Sequence, residues 1–248
     1  MAEINISVGY DLADSILNAI KGNYDEVYLE DFLSPDEKAF WQRRRTPFKL
    51  TLLHELLTNW ESMRWEDSFD GHDRESADRQ IREYLSMCRL PVPEKYGRAL
   101  KAFEEGSRTP LCELLKDAYK VAAASAFHLL FSDREFLGMF GHLIVRSATS
   151  DLARRSEYFS DSRVSRPSSI PKWLGRAIYF RDQGRCQCCG KDVSGLLHLD
   201  NKIHYDHVLP LARGGTNDPT NFQLLCDACN LTKSARVIEP QNRIAPYW

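Results

Sequence analysis

Long hydrophobic runs are missing from this chain. The longest nearly apolar stretch, Val121 to Phe131, is broken by Ser125 and His128 and is too short to span a bilayer. The opening Met-Ala-Glu-Ile-Asn lacks the basic and then apolar regions of a secretory signal. There is no internal repeat and no large excess of either charge, the formal net charge being −2. With 43% hydrophobic and 27% charged residues, the composition excludes a disordered, collagen-like or coiled-coil chain. The expectation is a soluble cytoplasmic protein with no membrane partner, its 248 residues making one large domain or two modest ones. Cysteine is scarce in the first two thirds, where only Cys88 and Cys112 occur.

What is present lies at the other end. Cys186, Cys188, Cys189, Cys226 and Cys229 fall in the last part of the chain. Cytosolic thiols stay reduced, so such a cluster points to metal rather than disulfides. Charge divides at a similar place. Residues 166–248 hold 11 Lys+Arg against 7 Asp+Glu, a net of +4, and the remainder holds 22 against 28, a net of −6. Opposite electrostatics imply two domains with different partners.

Residues 1–160 read as a mainly helical domain. Leu12, Ile16 and Ile20 recur every fourth residue before Gly22. Ser34-Pro35-Asp36-Glu37 and Ser132-Asp133-Arg134-Glu135 read as capping boxes, and Thr109-Pro110 opens a helix with a stripe from Leu111 to Ala126. Further helices are expected over 48–65, 74–88 and 94–105. Chemistry is sparse here. His54-Glu55 lacks the second histidine of a zinc-protease helix. His128 and His142 read as core or boundary histidines, Arg43-Arg44-Arg45 as a solvated helix face, and Trp41, Trp60 and Trp65 as core. Residues 161–171, polar and punctuated by Pro167 and Pro171, read as a linker, with a C-terminal domain over 172–248.

Cys186-Gln-Cys-Cys189-Gly190 and Cys226-Asp-Ala-Cys229 are two Cys-x-x-Cys pairs. Together they supply four thiolates, the closed tetrahedral set of a structural Zn²⁺ site. Gly190 suits the left-handed conformation just after the first turn, and Cys188 is expected to point away. The 36 residues between the pairs exceed what a compact zinc ribbon needs. They read as a strand over 202–209, a loop through Gly214-Gly215 to Asn217, a second strand over 221–225, and then a helix over 227–235.

Asp206-His207-Val-Leu-Pro210, Gly214-Gly215, Asn221-Phe-Gln-Leu-Leu-Cys226 and Cys229-Asn230-Leu-Thr-Lys233 resemble the HNH endonucleases of the ββα-metal (His-Me finger) fold. The lead-in from Arg176 to Cys186 is similar as well, so the resemblance spans about residues 172–236. It implies a small α+β C-terminal ββα-metal domain stabilised by a four-cysteine zinc site, and a metal-dependent nuclease that leaves 5′-phosphate and 3′-hydroxyl ends on DNA.

The residue chemistry agrees with that resemblance. Phosphodiester hydrolysis needs an activated water, a cation near the phosphate and a stabilised leaving oxygen. His207 is suited to be the base, since imidazole titrates near neutrality. Asp206 would face the other side of a regular strand and serve as a metal ligand. By the resemblance, Asn230 is the second metal ligand and Asn221 pins the loop and orients His207. Carboxylate plus amide is an all-oxygen pair, which favours Mg²⁺ or Mn²⁺. His204 shares the Asp206 face and offers a nitrogen ligand or phosphate contact, or is an ordinary strand histidine. Arg185, Arg213 and Lys233 are the expected contacts to nucleic acid. The segment from residue 166 contains all these groups and is expected to cut by itself. The acidic helical part is expected to bind a protein partner or restrain the nuclease, in phage defence, restriction or a mobile element. A zinc-stabilised nucleic-acid-binding module without catalysis is the alternative.

Overall fold

The computed structural model describes residues 6–23, 37–69, 74–92, 110–150, 157, 164–195, 202–238 and 240–242. Among these are eight α-helices and one two-stranded antiparallel sheet. The helices are α1 (Tyr10–Asn18), α2 (Glu37–Arg45), α3 (Leu52–Phe69), α4 (Arg74–Met87), α5 (Pro110–Leu130), α6 (Arg134–Ser147), α7 (Lys172–Arg181) and α8 (Asp227–Lys233). The strands are β1 (His204–His207) and β2 (Phe222–Leu225). No described helix is long and apolar enough to cross a membrane.

The chain forms two compact units. One comprises Met1–Asn18 and His54–Leu129, the other Ala19–Leu53 and Leu130–Trp248. The linker expected over 161–171 falls within the second of these units. The reason is physical: the end of α2, the start of α3 and α6 make buried hydrogen bonds to the β-hairpin region.

In the first unit, Leu12, Ile16, Leu56, Leu57, Ile81, Leu85, Leu115, Ala118, Ala122 and Ala126 are buried, along with Trp60. The four-residue spacing within each helix places these side chains on one face. Trp60 donates its ring N–H to Ser15 at 3.0 Å. Glu61 is buried but not isolated, because it accepts from Tyr84 Oη at 2.8 Å and Trp65 Nε1 at 3.2 Å. Burial, reinforced by that carboxylate, raises the Tyr84 hydroxyl pKa well above its ordinary value. His128, expected in the core or at its boundary, is exposed, and so is His142 in the second unit.

Several local readings shift. The helix of 48–65 runs from Leu52 to Phe69, and that of 74–88 from Arg74 to Met87. The residues of the Ser34 capping box before Glu37, and the helix over 94–105, lie outside the described residues. At α6 the cap is Asp133 rather than Ser132, its carboxylate accepting from Phe136 N at 2.9 Å. Glu135 does not close a box back to the cap residue; it accepts from Asn242 N instead. Arg44 is 3% exposed, not on a solvated face, and its guanidinium lies over the Trp41 ring at 4.8 Å.

The hairpin of the second unit sits on a small core of Leu174 and Ile178 from α7 with Val193, Phe222, Leu224 and Leu225. Its register pairs His204 with Leu225, Tyr205 with Leu224, Asp206 with Gln223 and His207 with Phe222. Both strands are shorter than the apolar pattern suggested: Val208 N–H still donates to the Asn221 carbonyl at 2.7 Å, but Asn221 N–H turns away to the Asp218 carbonyl at 2.9 Å and the ladder ends there.

Candidate active site

The four paired cysteines converge. The sulfurs of Cys186, Cys189, Cys226 and Cys229 all lie within 4.8 Å of one another, and Cys189 and Cys226 are 3.8 Å apart. Four sulfurs held about 2.3 Å from one zinc ion in a tetrahedron would stand about 3.8 Å apart. The donor set and spacing therefore fit Zn²⁺. Gly190 closes the first turn at φ +76°, its N–H donating to the Cys186 carbonyl at 2.8 Å. Burial opposes a charge on Cys186, but backbone N–H groups of Cys226, Cys189 and Cys188 outweigh it and bring the thiol down to about 7. Cys188 packs against the hairpin core and is not part of the cluster.

Between the cysteine pairs, the loop joining the strands is tied down from within. Asn221 is 5% exposed; its Oδ1 accepts from Leu209 N at 2.8 Å, and its Nδ2 donates to the Leu209 and Thr216 carbonyls at 3.0 and 2.9 Å. A Cβ at Gly215 would stand 2.0 Å from the Leu209 carbonyl oxygen, so no larger residue fits that crossing. The Gly214-Gly215 pair is thus a steric requirement of the loop.

Asp206, His207 and Asn230 line one open pocket of about 400 Å³, together with Arg166, Pro210, Leu211, Ala212 and Leu231. The carboxylate of Asp206 is 8% exposed. Its Oδ2 takes Lys233 Nζ at 2.9 Å and Gln223 Nε2 at 3.3 Å, while Arg166 is 3.9 Å from Oδ1. Gln223 is held in turn by Arg134 of α6, whose Nη2 donates to Oε1 at 2.8 Å. Arg134 also faces Asp182 at 3.4 Å, and Asp182 accepts from Arg181 and from Leu224 N. A buried polar chain therefore runs from Asp182 on the α7 side to Asp206.

His207 is 3% exposed. Its Nε2 is 2.9 Å from Asn217 Oδ1, and its ring packs against Phe222 at 4.5 Å. Burial is the largest influence on its pKa and lowers it; the Asn217 hydrogen bond and Asp206 oppose, while Arg166 and Lys233 add to the lowering. Burial therefore favours the neutral form of the imidazole over the imidazolium. Asp206 and His207 have different neighbours, as alternation along a strand requires. They nevertheless border the same pocket, because His207 is the last residue of β1.

The remaining sequence candidates are spread around this centre. Arg213 is exposed on the short turn Leu211–Arg213 beside the pocket, and Arg185 is exposed next to the cysteine cluster. Lys233, expected on the surface to meet phosphate, is 1% exposed. Its ammonium is occupied by Asp206 and by the His207 carbonyl at 2.8 Å, because α8 turns that face onto β1. His204 lies between Asn230, 3.4 Å from Nδ1, and Asp227, 3.0 Å from Nε2. Sequence reasoning missed Asn217, Gln223, Arg166 and Arg134. The first lies in a stretch read only as loop, and the others had no local signal.

Four cysteines compatible with a zinc site thus lie beside an antiparallel hairpin and a short helix, with Asp206, His207 and Asn230 at one pocket. Residues 186–236 match the model of the HNH endonuclease family. No curated protein and no solved structure matches this chain.

Proposed function

We propose that the chain is a metal-dependent endonuclease that hydrolyses DNA phosphodiester bonds. The observation that carries this reading is the meeting of Asp206, His207 and Asn230 at one open pocket. Asp206 and the Asn230 side-chain oxygen would hold a divalent cation, and this hard pair suits Mg²⁺ or Mn²⁺. Such a cation, when bound, supplies Lewis-acid stabilisation of the charge building on the phosphate. His207 takes the proton of a water whose oxygen bonds to phosphorus as the bond to the 3′-oxygen breaks, and that leaving oxygen takes up a proton from solvent water. Arg166 and Arg213, exposed at or beside the pocket, meet the phosphate backbone, with Arg185 further out. Lys233 acts from inside, holding Asp206 and the backbone of His207. Zn²⁺ on Cys186, Cys189, Cys226 and Cys229 holds the hairpin and α8 together.

A cytoplasmic nuclease of this kind needs restraint, and the acidic helical part is suited to a protein partner or regulator. Phage defence or restriction is the setting such an arrangement serves. Incubating the protein with supercoiled plasmid plus Mg²⁺, plus Mn²⁺, or plus chelator tests the reading. Nicked or linear product that requires the cation supports it. A mobility shift with the plasmid left intact under all three conditions favours a zinc-stabilised binding module instead.

A further inference from the structure

We infer that Asn217 is the positioning residue that decides which nitrogen of His207 acts as the base, and that α2 and Ser165, outside the HNH domain, impose its orientation. The inference deepens the nuclease reading and rests on it. Asn217 is fully buried. Its Nδ2 lies 2.7 Å from the Arg45 carbonyl oxygen and 2.8 Å from that of Ser165. Carbonyl oxygens only accept, so both hydrogens of the Asn217 amide are committed to them. Rotating the amide by half a turn would set its oxygen against two carbonyl oxygens, which no proton bridges. Oδ1 must therefore face His207.

That orientation has a chemical consequence. An amide oxygen also only accepts, so the His207 nitrogen 2.9 Å away has to carry the proton. The neutral ring is then the Nε2–H tautomer, with its lone pair on Nδ1. In the proposed reaction, Nδ1 receives the proton of the attacking water, and Asn217 steadies the imidazolium that results.

The clamp is made by the end of a helix. The last carbonyls of any α-helix have no intrahelical partner. At the end of α2, the Arg44 carbonyl accepts the Asn217 backbone N–H at 2.7 Å and the Arg45 carbonyl accepts its side chain. The guanidinium of Arg44 donates to the Gly214 carbonyl at 3.3 Å, fixing the same loop a second time. A segment about 170 residues away in sequence from the loop thus sets the proton pattern of the base.

The test uses the full chain, wild type and Asn217→Ala, with cleavage kinetics and a two-bond ¹H–¹⁵N spectrum that reads the His207 tautomer at neutral pH. The expected wild-type spectrum is that of the Nε2–H form. The variant is expected to show a tautomer mixture and a kcat lower by roughly 100-fold, with KM and zinc content nearly unchanged. A merely structural role would not move the tautomer. An Nδ1–H tautomer in the wild type overturns the inference, as does a variant that cuts at the wild-type rate. Should Asn217→Ala fail to fold, the wild-type spectrum alone decides. If the wild type cuts no DNA with either cation, the nuclease reading fails, while the spectrum still reports on the clamp.

Discussion

The carboxylate of Asp218 accepts the backbone N–H of Leu52 at 2.8 Å, so a residue of the loop between the two hairpin strands caps a helix that begins 166 residues earlier. The same side chain accepts from Thr220 N and Thr220 Oγ1 at 3.0 and 2.6 Å, and Asp218 is 1% exposed. A carboxylate at a helix N-terminus satisfies a donor that the helix cannot and lies favourably in the field of the peptide dipoles. One side chain therefore fixes both the start of α3 and the loop that carries Asn217.

Removing it should be felt at both places. Asp218→Ala is expected to destabilise the second unit by about 2–3 kcal/mol, since it deletes a cap and leaves buried donors unmet. Urea denaturation of the variant beside the wild type measures this. An unchanged midpoint would show that the loop and α3 do not depend on each other.

Zinc should be inseparable from folding around the hairpin. Purified protein is expected to contain about one tightly held zinc per chain, because four thiolates form one closed tetrahedral site. Cys226→Ser should unfold the hairpin region rather than slow it, the small core there having little else to stabilise it. Elemental analysis and the tyrosine and tryptophan near-UV spectrum check both halves of this expectation. Metal-free protein with an intact spectrum would remove zinc from the account.

The pocket residues should separate by role. His207→Ala is expected to lower kcat by about 10²–10⁴-fold while zinc content and DNA affinity hold, as expected for loss of a general base. Asp206→Ala and Asn230→Ala should instead raise the Mg²⁺ or Mn²⁺ concentration needed for half-maximal cutting. Titrating each cation against each variant distinguishes the two patterns, and a His207→Ala protein as active as wild type would displace the base assignment.

Arg134 offers a test of the buried chain behind Asp206. Arg134→Met removes the partner of Gln223 and one of the two arginines facing Asp182, the other being Arg181 at 2.8 Å. Because Arg181 still compensates the carboxylate, the loss of stability is expected near 2 kcal/mol, below the ~3–5 kcal/mol seen when a buried charge loses all compensation. The cation requirement should rise as well, since Gln223 would no longer hold Asp206 firmly. Thermal unfolding and cation titration of the same variant read the two effects. A variant with wild-type values of both would show that the contact contributes nothing to the site.

These relationships also bear on the segment from residue 166, which carries every motif residue. It lacks Arg44, Arg45, Leu52, Arg134 and Ser165, the partners that Asn217, Asp218 and Gln223 have in the structure.

The sequence by itself determined what depends on short spacing. Two Cys-x-x-Cys turns bring sulfurs together because two intervening residues and a left-handed Gly190 suffice for a tight turn. The order of strand, glycine-bearing loop, strand and helix was legible for the same reason, as were Asp206 and His207 as adjacent strand residues and the stripe of α5. Tertiary structure alone decided what depends on distant partners. Lys233 turns inward because Asp206 and the His207 carbonyl satisfy its ammonium. Arg44 is buried because aromatic rings and the Gly214 carbonyl receive it. Asn217 is loop composition in the sequence and becomes the partner of His207 only when the end of α2 supplies carbonyls with no helical partner. A hydrogen bond between residues 172 apart leaves no periodicity and no motif, so only the folded chain reveals it.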